Sequence, residues 1–307
     1  MRLRIAVTDN EWFRFLRARP GIDEVNFWKP GGRQNFRALT PDEMLLFKLH
    51  SPEDYIVGGG FFVYFNFLPY TLAWETFQEK NGVATLDEMR RRLEHYRRAP
   101  VDLNSRIGCI LLAEPFFFPD DLWIPSPPEF GRSIVQGKNF DTASGTGRWL
   151  WDEITARLPA TMTAVAPGLA AEERPVFGNP RLYRPRLGQG TFRVLVTDNY
   201  QRRCAVTGEK ALPVLDAAHI RPVTQGGQHR LDNGLLLRTD VHRLFDKGYV
   251  TVTPDGRFLV SSRLKTDFDD GEPYRPFNDQ KIWMPGDPVS RPDREALEWH
   301  SDVVFLR

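Results

Sequence analysis

Two histidines and an asparagine in the last third of the chain have the residue types for acid–base and metal chemistry. His219, Asn233 and His242 follow one another at intervals of 14 and 9 residues. Histidine titrates near neutral pH, so it can accept a proton from water. Imidazole nitrogens and carboxylate oxygens also bind divalent cations. The segment Asp216–Gly248 therefore contains the groups that a metal-assisted hydrolysis needs.

The elements predicted around these residues would bring them together. We expect a strand over Val214–Ile220, which carries His219, and a helix over the later part of Asp232–Gly248, which carries His242. The pair Gly226-Gly227 marks a loop between them. A strand, a loop and a helix in this order can place both histidines at one site.

The motif Ala218-His219-Ile220, followed on the predicted helix by Val241–Asp246, resembles the HNH nucleases, which have a ββα-metal fold. The resemblance extends over Arg186–Val260. It implies a DNA endonuclease that hydrolyses phosphodiester bonds with Mg²⁺ or Mn²⁺ as its cofactor.

The same resemblance implies a role for each of the three residues. His219 would be the general base that activates water, and His242 would bind the metal. Asn233 would hold the loop and orient His219 through hydrogen bonds to the backbone. This assignment gives the predicted catalytic set His219, Asn233 and His242.

The metal-binding carboxylate departs from the family pattern, which often has aspartate immediately before the base. Ala218 occupies that position here. Asp216 lies two residues earlier, on the same face of the strand as Ala218, and is our first candidate for the missing ligand. Asp246, one helical turn after His242, is the alternative. The predicted metal ligands are therefore Asp216, His242 and Asp246.

Basic residues are concentrated around this segment, although the whole chain has a net charge of only +1. The stretch 181–250 holds twelve Lys or Arg against six Asp or Glu. A local excess of positive charge favours a polyanion as partner, and we expect double-stranded DNA. A helix is predicted over Thr191–Tyr200, close to several of the arginines. The candidate DNA contacts are Arg186, Arg193, Arg202, Arg203 and Arg221.

The first half of the chain is predicted to form a mixed domain of strands and helices. Thr40–Glu43 has the pattern of a helix start, and Thr85 with Glu88 forms a second capping box. The stretch Tyr55–Phe67 predicts a strand whose glycines indicate a bulge or a close backbone approach. We assign residues 1–145 to this domain, 146–180 to a helix and linker, and 181–307 to the nuclease domain.

The N-terminal domain resembles the PUA-like superfamily, which includes EVE, ASCH and SRA domains. The resemblance lies in Trp28-Lys29-Pro30, in the strand Tyr55–Gly60 and in Ala73-Trp74-Glu75. It implies a mixed β-barrel that flips a modified cytosine into an aromatic pocket. The candidate pocket residues are Trp28, Phe61, Tyr64, Trp74 and Trp123.

These expectations combine into an α+β protein with a PUA-like reader and a C-terminal HNH domain. The leading hypothesis is a modification-dependent restriction endonuclease acting on 5-methylcytosine or 5-hydroxymethylcytosine in DNA. One alternative is an HNH endonuclease with another trigger, such as an unmodified sequence, a DNA structure or a signalling ligand. Another is a non-catalytic nucleic-acid-binding protein. A homodimer is possible, because one HNH site cuts one strand.

The remaining sequence features concern location and the cysteines. The longest apolar run, near Phe61–Leu72, is interrupted by Asn66 and Pro69, so we expect no membrane span. The N-terminus lacks the apolar core of a signal peptide, and a cytoplasmic location is expected. Two cysteines exclude an all-cysteine zinc site, and Cys204 is expected in the core.

Overall fold

The computed structural model describes residues 1–131, 133–158, 187–269 and 271–307. The chain divides into two units, Met1–Arg186 and Leu187–Arg307. Within the described ranges, no helix combines the length and the apolar character needed to cross a membrane.

A mixed seven-stranded sheet forms the centre of the N-terminal unit. The hydrogen-bonded order is β2-β5-β4-β3-β1-β7, with β6 paired to β4. The β1–β3 pair is parallel, and the others are antiparallel. The strands are β1 Arg2–Thr8, β2 Glu24–Lys29, β3 Met44–Leu49, β4 Tyr55–Pro69, β5 Arg106–Phe117, β6 Ile124–Pro125 and β7 Gly137–Asp141.

The central strand β3 is buried on both of its faces. β3 reads as a nearly continuous apolar run, which is typical of a strand covered on both sides. Leu45 and Phe47 pack in the same cluster as the first helix, whereas Met44 and Leu46 pack with the last helix of the unit. In the described part of this unit, the α-helices are α1 Asn10–Arg17, α2 Tyr70–Phe77, α3 Leu86–Arg97 and α4 Gly145–Thr155.

One of the two predicted helix starts is confirmed. At α3, the Thr85 hydroxyl accepts a hydrogen bond from the backbone N–H of Glu88 at 3.2 Å. The start predicted at Thr40 is wrong, because the chain turns there and enters β3. The Glu43 carboxylate does accept the Thr40 N–H at 2.8 Å. The apolar run that follows, however, pairs with β1 and β4 instead of coiling.

The glycines of β4 mark irregular pairing, as expected. The register shifts between Gly59 and Phe61 and again between Phe62 and Tyr64. A Cβ at Gly58 would lie 2.2 Å from the Phe116 carbonyl oxygen, so no side chain fits at this position. The close approach of the two backbones explains the glycine.

The C-terminal unit contains a two-stranded hairpin followed directly by a helix. The antiparallel strands β8 Leu215–His219 and β9 Gly234–Arg238 are followed by α6 Thr239–Asp246. Helix α5 Gln189–Asn199 precedes them. The other elements are β10 Val250–Val252, β11 Phe258–Val260, α7 Arg263–Phe268 and α8 Arg294–Trp299. The order strand, strand, helix agrees with the predicted ββα unit, and the α+β class is confirmed.

Candidate active site

His219 ends strand β8, and two side chains hold its imidazole ring in place. The ring stacks on Phe192 of helix α5, with centroids 4.1 Å apart and planes 10° apart. Its Nε2 lies 2.9 Å from Nδ1 of His229, within hydrogen-bonding distance. The stack defines the plane of the ring, and the hydrogen bond opposes rotation within that plane.

The electrostatic surroundings of His219 favour the neutral ring. Burial lowers its pKa most, and the positive charges of His229 and His242 lower it further, to about 4. A neutral imidazole at pH 7 keeps a lone pair that can accept a proton. The helix that carries His242, α6, packs against strand β8, which ends with His219.

Asn233 closes the loop between β8 and β9 by hydrogen bonds to three backbone groups. Its Oδ1 accepts the Arg221 N–H at 2.9 Å, and its Nδ2 donates to the carbonyls of Arg221 and Gln228, each at 2.9 Å. Gly227 lies inside the same turn, where a Cβ would come within 1.8 Å of the Arg221 carbonyl oxygen. The amide and the glycine together define the path of the loop after His219.

His242 lies between the two candidate carboxylates. Its Nδ1 is 3.4 Å from Oδ2 of Asp216, and its Nε2 is 3.4 Å from Oδ2 of Asp246. Burial raises the pKa of Asp246 most; the nearby His242 lowers it, and the negative charge of Asp216 raises it, with a net increase. Two carboxylates on one imidazole form an electronegative group that a cation would stabilise.

The donor types at His242 fit Mg²⁺ or Mn²⁺. Carboxylate oxygens suit both ions, and imidazole is an additional ligand for Mn²⁺. As the side chains stand in the described ranges, no three His, Cys, Asp or Glu are grouped closely enough to hold an ion. The two distances from His242 are equal, so they do not rank Asp216 above Asp246.

Arg202 and Arg203, two of the candidate DNA-contacting arginines, are each held by an intramolecular contact. Arg202 forms an ion pair with Asp198 at 3.2 Å. The Arg203 guanidinium lies over the ring of Trp283, 5.4 Å from its centroid. Both side chains are half-buried, and their contact with DNA stays a prediction.

The other three candidate arginines differ in position. Arg221 is exposed; its guanidinium lies 5.3 Å from the Trp299 centroid, and its Nε donates to the Gln225 carbonyl at 2.7 Å. Arg193 is half-buried on helix α5. Arg186 lies outside the described residues.

Cys204 is a core residue, as expected. It is fully buried and free, and its Sγ accepts the backbone N–H of Arg238 at 3.2 Å. This contact ties the turn after α5 to the end of β9.

A cavity of about 990 Å³ lies in the N-terminal unit, between the loop that follows β2 and helix α3. Its walls combine aromatic rings with positive charge. The aromatic lining residues are Trp12, Phe27, Trp28 and Tyr96. The basic lining residues are Lys29, Arg33, Arg92, Arg97 and Arg106.

A small network orders one wall of this cavity. Asp9 caps helix α1 by accepting the Trp12 N–H at 2.7 Å, and it also accepts the Tyr96 hydroxyl. Arg92 pairs with Asp9 at 3.3 Å and with Glu88 at 2.7 Å. Burial and the hydrogen bond to Asp9 raise the pKa of Tyr96, so its hydroxyl keeps its proton.

Of the five predicted pocket aromatics, Trp28 is the one that lines this cavity. Its Nε1 donates to the Asn81 carbonyl at 3.0 Å, which fixes the orientation of the indole. Phe61 is 7% exposed and belongs to the core. Tyr64 on β4, Trp74 on α2 and Trp123 after a short turn are half-buried in other places. The cavity thus gathers one of the predicted residues.

The sequence reasoning missed residues at both sites. His229 lies ten residues after His219, in the predicted loop. A third histidine between His219 and His242 could have been recognised as a candidate site residue. Tyr96 was placed on a helix by its spacing, but nothing local indicated that it would approach Trp28, with ring centroids 6.1 Å apart.

A match to a known protein family agrees with the position of the hairpin and helix. Residues 204–253 match the family model HNH_2, described as HNH endonuclease. The match covers less than half of the chain and includes β8, β9 and α6. A comparison with curated proteins finds no match.

Two solved structures show distant likeness. One is titled as an ASCH protein from Zymomonas mobilis, with 6% identity and a TM-score of 0.32, over 50% of this chain and 94% of that chain. The other is titled as the modification-dependent TagI restriction endonuclease, with 14% identity and a TM-score of 0.29, over 92% of this chain and 75% of that chain. At these TM-scores neither assigns a fold or a substrate. On the family-model match, residues 204–253 are identified as an HNH endonuclease motif.

Proposed function

We propose that this protein is a metal-dependent DNA endonuclease whose N-terminal unit selects DNA that carries a modified cytosine. The match of residues 204–253 to the HNH endonuclease family supports the nuclease part. The observation that carries the proposal is that one hairpin-and-helix unit contains both an oriented His219 and the group formed by His242, Asp216 and Asp246.

In the proposed reaction His219 is the general base. A water molecule transfers a proton to its free ring nitrogen while the water oxygen attacks phosphorus. The bond between phosphorus and the leaving sugar oxygen breaks, and that oxygen takes a proton from solvent. Asn233 keeps the loop after His219 in the required path through its bonds to Arg221 and Gln228.

His242, with Asp216 or Asp246, would hold Mg²⁺ or Mn²⁺, which would stabilise negative charge on the phosphate and the leaving oxygen. The two carboxylates and the imidazole supply the negative charge and lone pairs for this role. Arg193 and Arg221, on either side of His219 in the sequence, are the proposed phosphate contacts of the described residues.

For the reader, we propose that the cavity beside Trp28 receives the flipped base. Trp28 and Tyr96 offer aromatic surfaces, and stacking on such rings contributes about 1–3 kcal/mol per base. Lys29, Arg97 and Arg106 at the same cavity suit the phosphates next to that base. This combination of rings and cations is what a nucleotide, rather than an apolar ligand, requires.

Digestion of matched duplexes tests the proposal. The full-length protein is incubated with duplexes of one sequence that contain cytosine, 5-methylcytosine or 5-hydroxymethylcytosine, with Mg²⁺, Mn²⁺ or EDTA. We expect cleavage of a modified duplex that requires metal and is lost in His219→Ala. Absence of cleavage in every arm contradicts the nuclease assignment, and equal cleavage of all three duplexes contradicts the reader assignment.

The size of the cavity favours one alternative trigger. A volume of about 990 Å³ can hold more than a single base, so a free nucleotide is a second candidate ligand. In that case cleavage of unmodified DNA would increase when a nucleotide is added. The same digestion, repeated with added mononucleotides, distinguishes the two triggers.

A further inference from the structure

His229 has no part in the reaction described above, although its ring contacts the proposed base. Its Nδ1 lies 2.9 Å from Nε2 of His219, and the two ring centroids are 4.9 Å apart at an angle of 61°. The nitrogen–nitrogen distance is that of a hydrogen bond, and the angle between the rings is not that of a parallel stack. A neutral imidazole has one N–H and one lone pair, so the direction of this bond decides which nitrogen of His219 remains free.

Only one direction is compatible with a catalytic His219. If His229 donated the proton, His219 would use its lone pair on His229 and keep its proton on Nδ1, leaving no lone pair for water. If His219 donates from Nε2, its Nδ1 keeps the lone pair. We infer that His229 is a positioning residue that accepts a hydrogen bond from His219 and holds it in the Nε2–H tautomer. This inference rests on the proposed function.

The loop places His229 for this task. The carbonyl of Gln228, the preceding residue, accepts hydrogen bonds from Asn233 Nδ2 and from the Arg230 N–H, both at 2.9 Å. The His229 backbone is therefore anchored on each side. The Phe192 ring contacts both imidazoles, with its centroid 4.1 Å from that of His219 and 5.6 Å from that of His229.

The same contacts assign an indirect function to Asn233. Its amide reaches the backbone beside His229, so it acts on His219 through the loop and the His229 ring. His229 is half-buried, so its own Nε2–H can be solvated while its Nδ1 accepts.

The test compares three variants of the full-length protein. His229→Asn keeps an acceptor, because the asparagine Oδ1 is attached to Cγ as Nδ1 is in histidine. His229→Leu places a methyl group there. Thr224→Leu changes an exposed residue of the same loop and is the matched control. The tautomer of His219 is read from long-range ¹H–¹⁵N spectra of protein with ¹⁵N-labelled histidine, and its signals are assigned by their loss in His219→Gln.

We expect the Nε2–H tautomer in the wild type, in His229→Asn and in Thr224→Leu, and a mixture of tautomers in His229→Leu. The kcat for cleavage should fall by about tenfold to a hundredfold in His229→Leu, as on loss of other orienting partners, with little change in KM. His229→Asn should recover most of that loss. The Nδ1–H tautomer in the wild type, or an unchanged kcat and tautomer in His229→Leu, would overturn the inference. His219 could have the Nε2–H tautomer in the wild type and a mixture in His229→Leu while neither protein cuts DNA. That result would support the positioning role of His229 and contradict the nuclease function.

Discussion

The Asn233 side chain pairs with the backbone of Arg221 in the way that one strand residue pairs with another. Its Oδ1 accepts the Arg221 N–H and its Nδ2 donates to the Arg221 carbonyl, both at 2.9 Å. Asn233 is 7% exposed, so neither backbone group can easily be satisfied by water if the amide is removed. The amide therefore acts as a clamp on the chain two residues after His219.

Asn233→Ala should lower both stability and cleavage. We expect the free energy of unfolding to fall by about 1–3 kcal/mol, because buried backbone groups lose their partners. Cleavage should fall more than this loss of folded protein explains, because the loop beside His219 loosens. Chemical denaturation and single-turnover cleavage at a temperature where the variant is folded measure the two effects.

Asn199→Ala is the matched control for this change. The Asn199 amide donates a hydrogen bond to the carbonyl of Ser290, a residue outside the loop between β8 and β9, at 2.9 Å. We expect some loss of stability and normal cleavage. Equal cleavage by the two alanine variants would contradict the role of Asn233 as a clamp on the active-site loop.

His219→Ala should abolish cleavage and leave DNA binding largely unchanged. The general base acts only in the chemical step, and its loss typically slows a reaction by about 10²–10⁴-fold. Cleavage rate and DNA affinity are measured on the same preparation, with His95→Ala, an exposed histidine of α3, as control. A folded His219→Ala protein that cuts DNA at the normal rate would remove His219 from the proposed site.

Metal titration should distinguish the two carboxylates beside His242. We expect Asp216→Asn to raise the Mn²⁺ concentration needed for half-maximal cleavage more than Asp246→Asn does. The reverse order would make Asp246 the ligand. His242→Ala should weaken Mn²⁺ binding in calorimetry, because it removes the central donor of the cluster; an unchanged affinity would move the metal away from this cluster.

Trp28→Ala should reduce the preference for modified DNA. The affinities for modified and unmodified duplexes are measured in a His219→Ala background, which leaves the DNA uncut. Phosphate contacts contribute equally to both affinities, so the ratio of the two measures discrimination between the bases alone. We expect Trp28→Ala to lower this ratio by about tenfold, the equivalent of one lost stacking contact. Trp123→Ala is the control, because that indole packs against Phe13 and Tyr55 and lies outside the cavity. Equal ratios in the two variants would exclude Trp28 as a reader residue.

A buried histidine outside the site predicts a pH dependence of stability. His300 accepts the Thr251 hydroxyl at Nδ1, at 2.9 Å, and donates from Nε2 to the Phe245 carbonyl at 3.0 Å. Burial lowers its pKa to about 4, although the hydrogen bond to Phe245 opposes this. The unfolded chain, with the ordinary pKa of 6.5, therefore binds a proton more readily than the folded chain between these two values.

Stability is therefore greatest above pH 6.5 and decreases as the pH falls toward 4. The difference in pKa corresponds to a loss of about 3 kcal/mol over this interval. His300→Phe loses both hydrogen bonds, so it should be less stable than the wild type at pH 7.5. Because phenylalanine cannot titrate, the variant should lose less stability on acidification. Urea unfolding at pH 7.5 and 4.5 measures how the free energy of unfolding changes with pH in the wild type and in His300→Phe. Parallel slopes for the two proteins would contradict the assignment to His300.

The sequence by itself determined the chemical part of the C-terminal unit. His219, Asn233 and His242 lie within 24 residues, on a strand, a loop end and a helix that short-range patterns predict. Hydrophobic alternation, glycine positions and helical spacing are local properties of the chain, so these elements and their order can be read without the fold. The start of α3 and the irregular pairing of β4 were also predicted from neighbouring residues in the sequence.

The tertiary structure decided which side chains meet. His229 reaches His219 because Asn233 folds the loop back, and Asp216 comes within 3.4 Å of His242 because α6 packs against β8. The contact between His242 and Asp246, in contrast, is one turn of the same helix. The cavity gathers residues between Val7 and Gln136 from several strands and helices, and it leaves Trp123 outside. At Thr40, pairing with two neighbouring strands outweighed a local helix signal. Contacts between distant segments depend on how whole elements bury their apolar faces, and no short window of sequence contains that information.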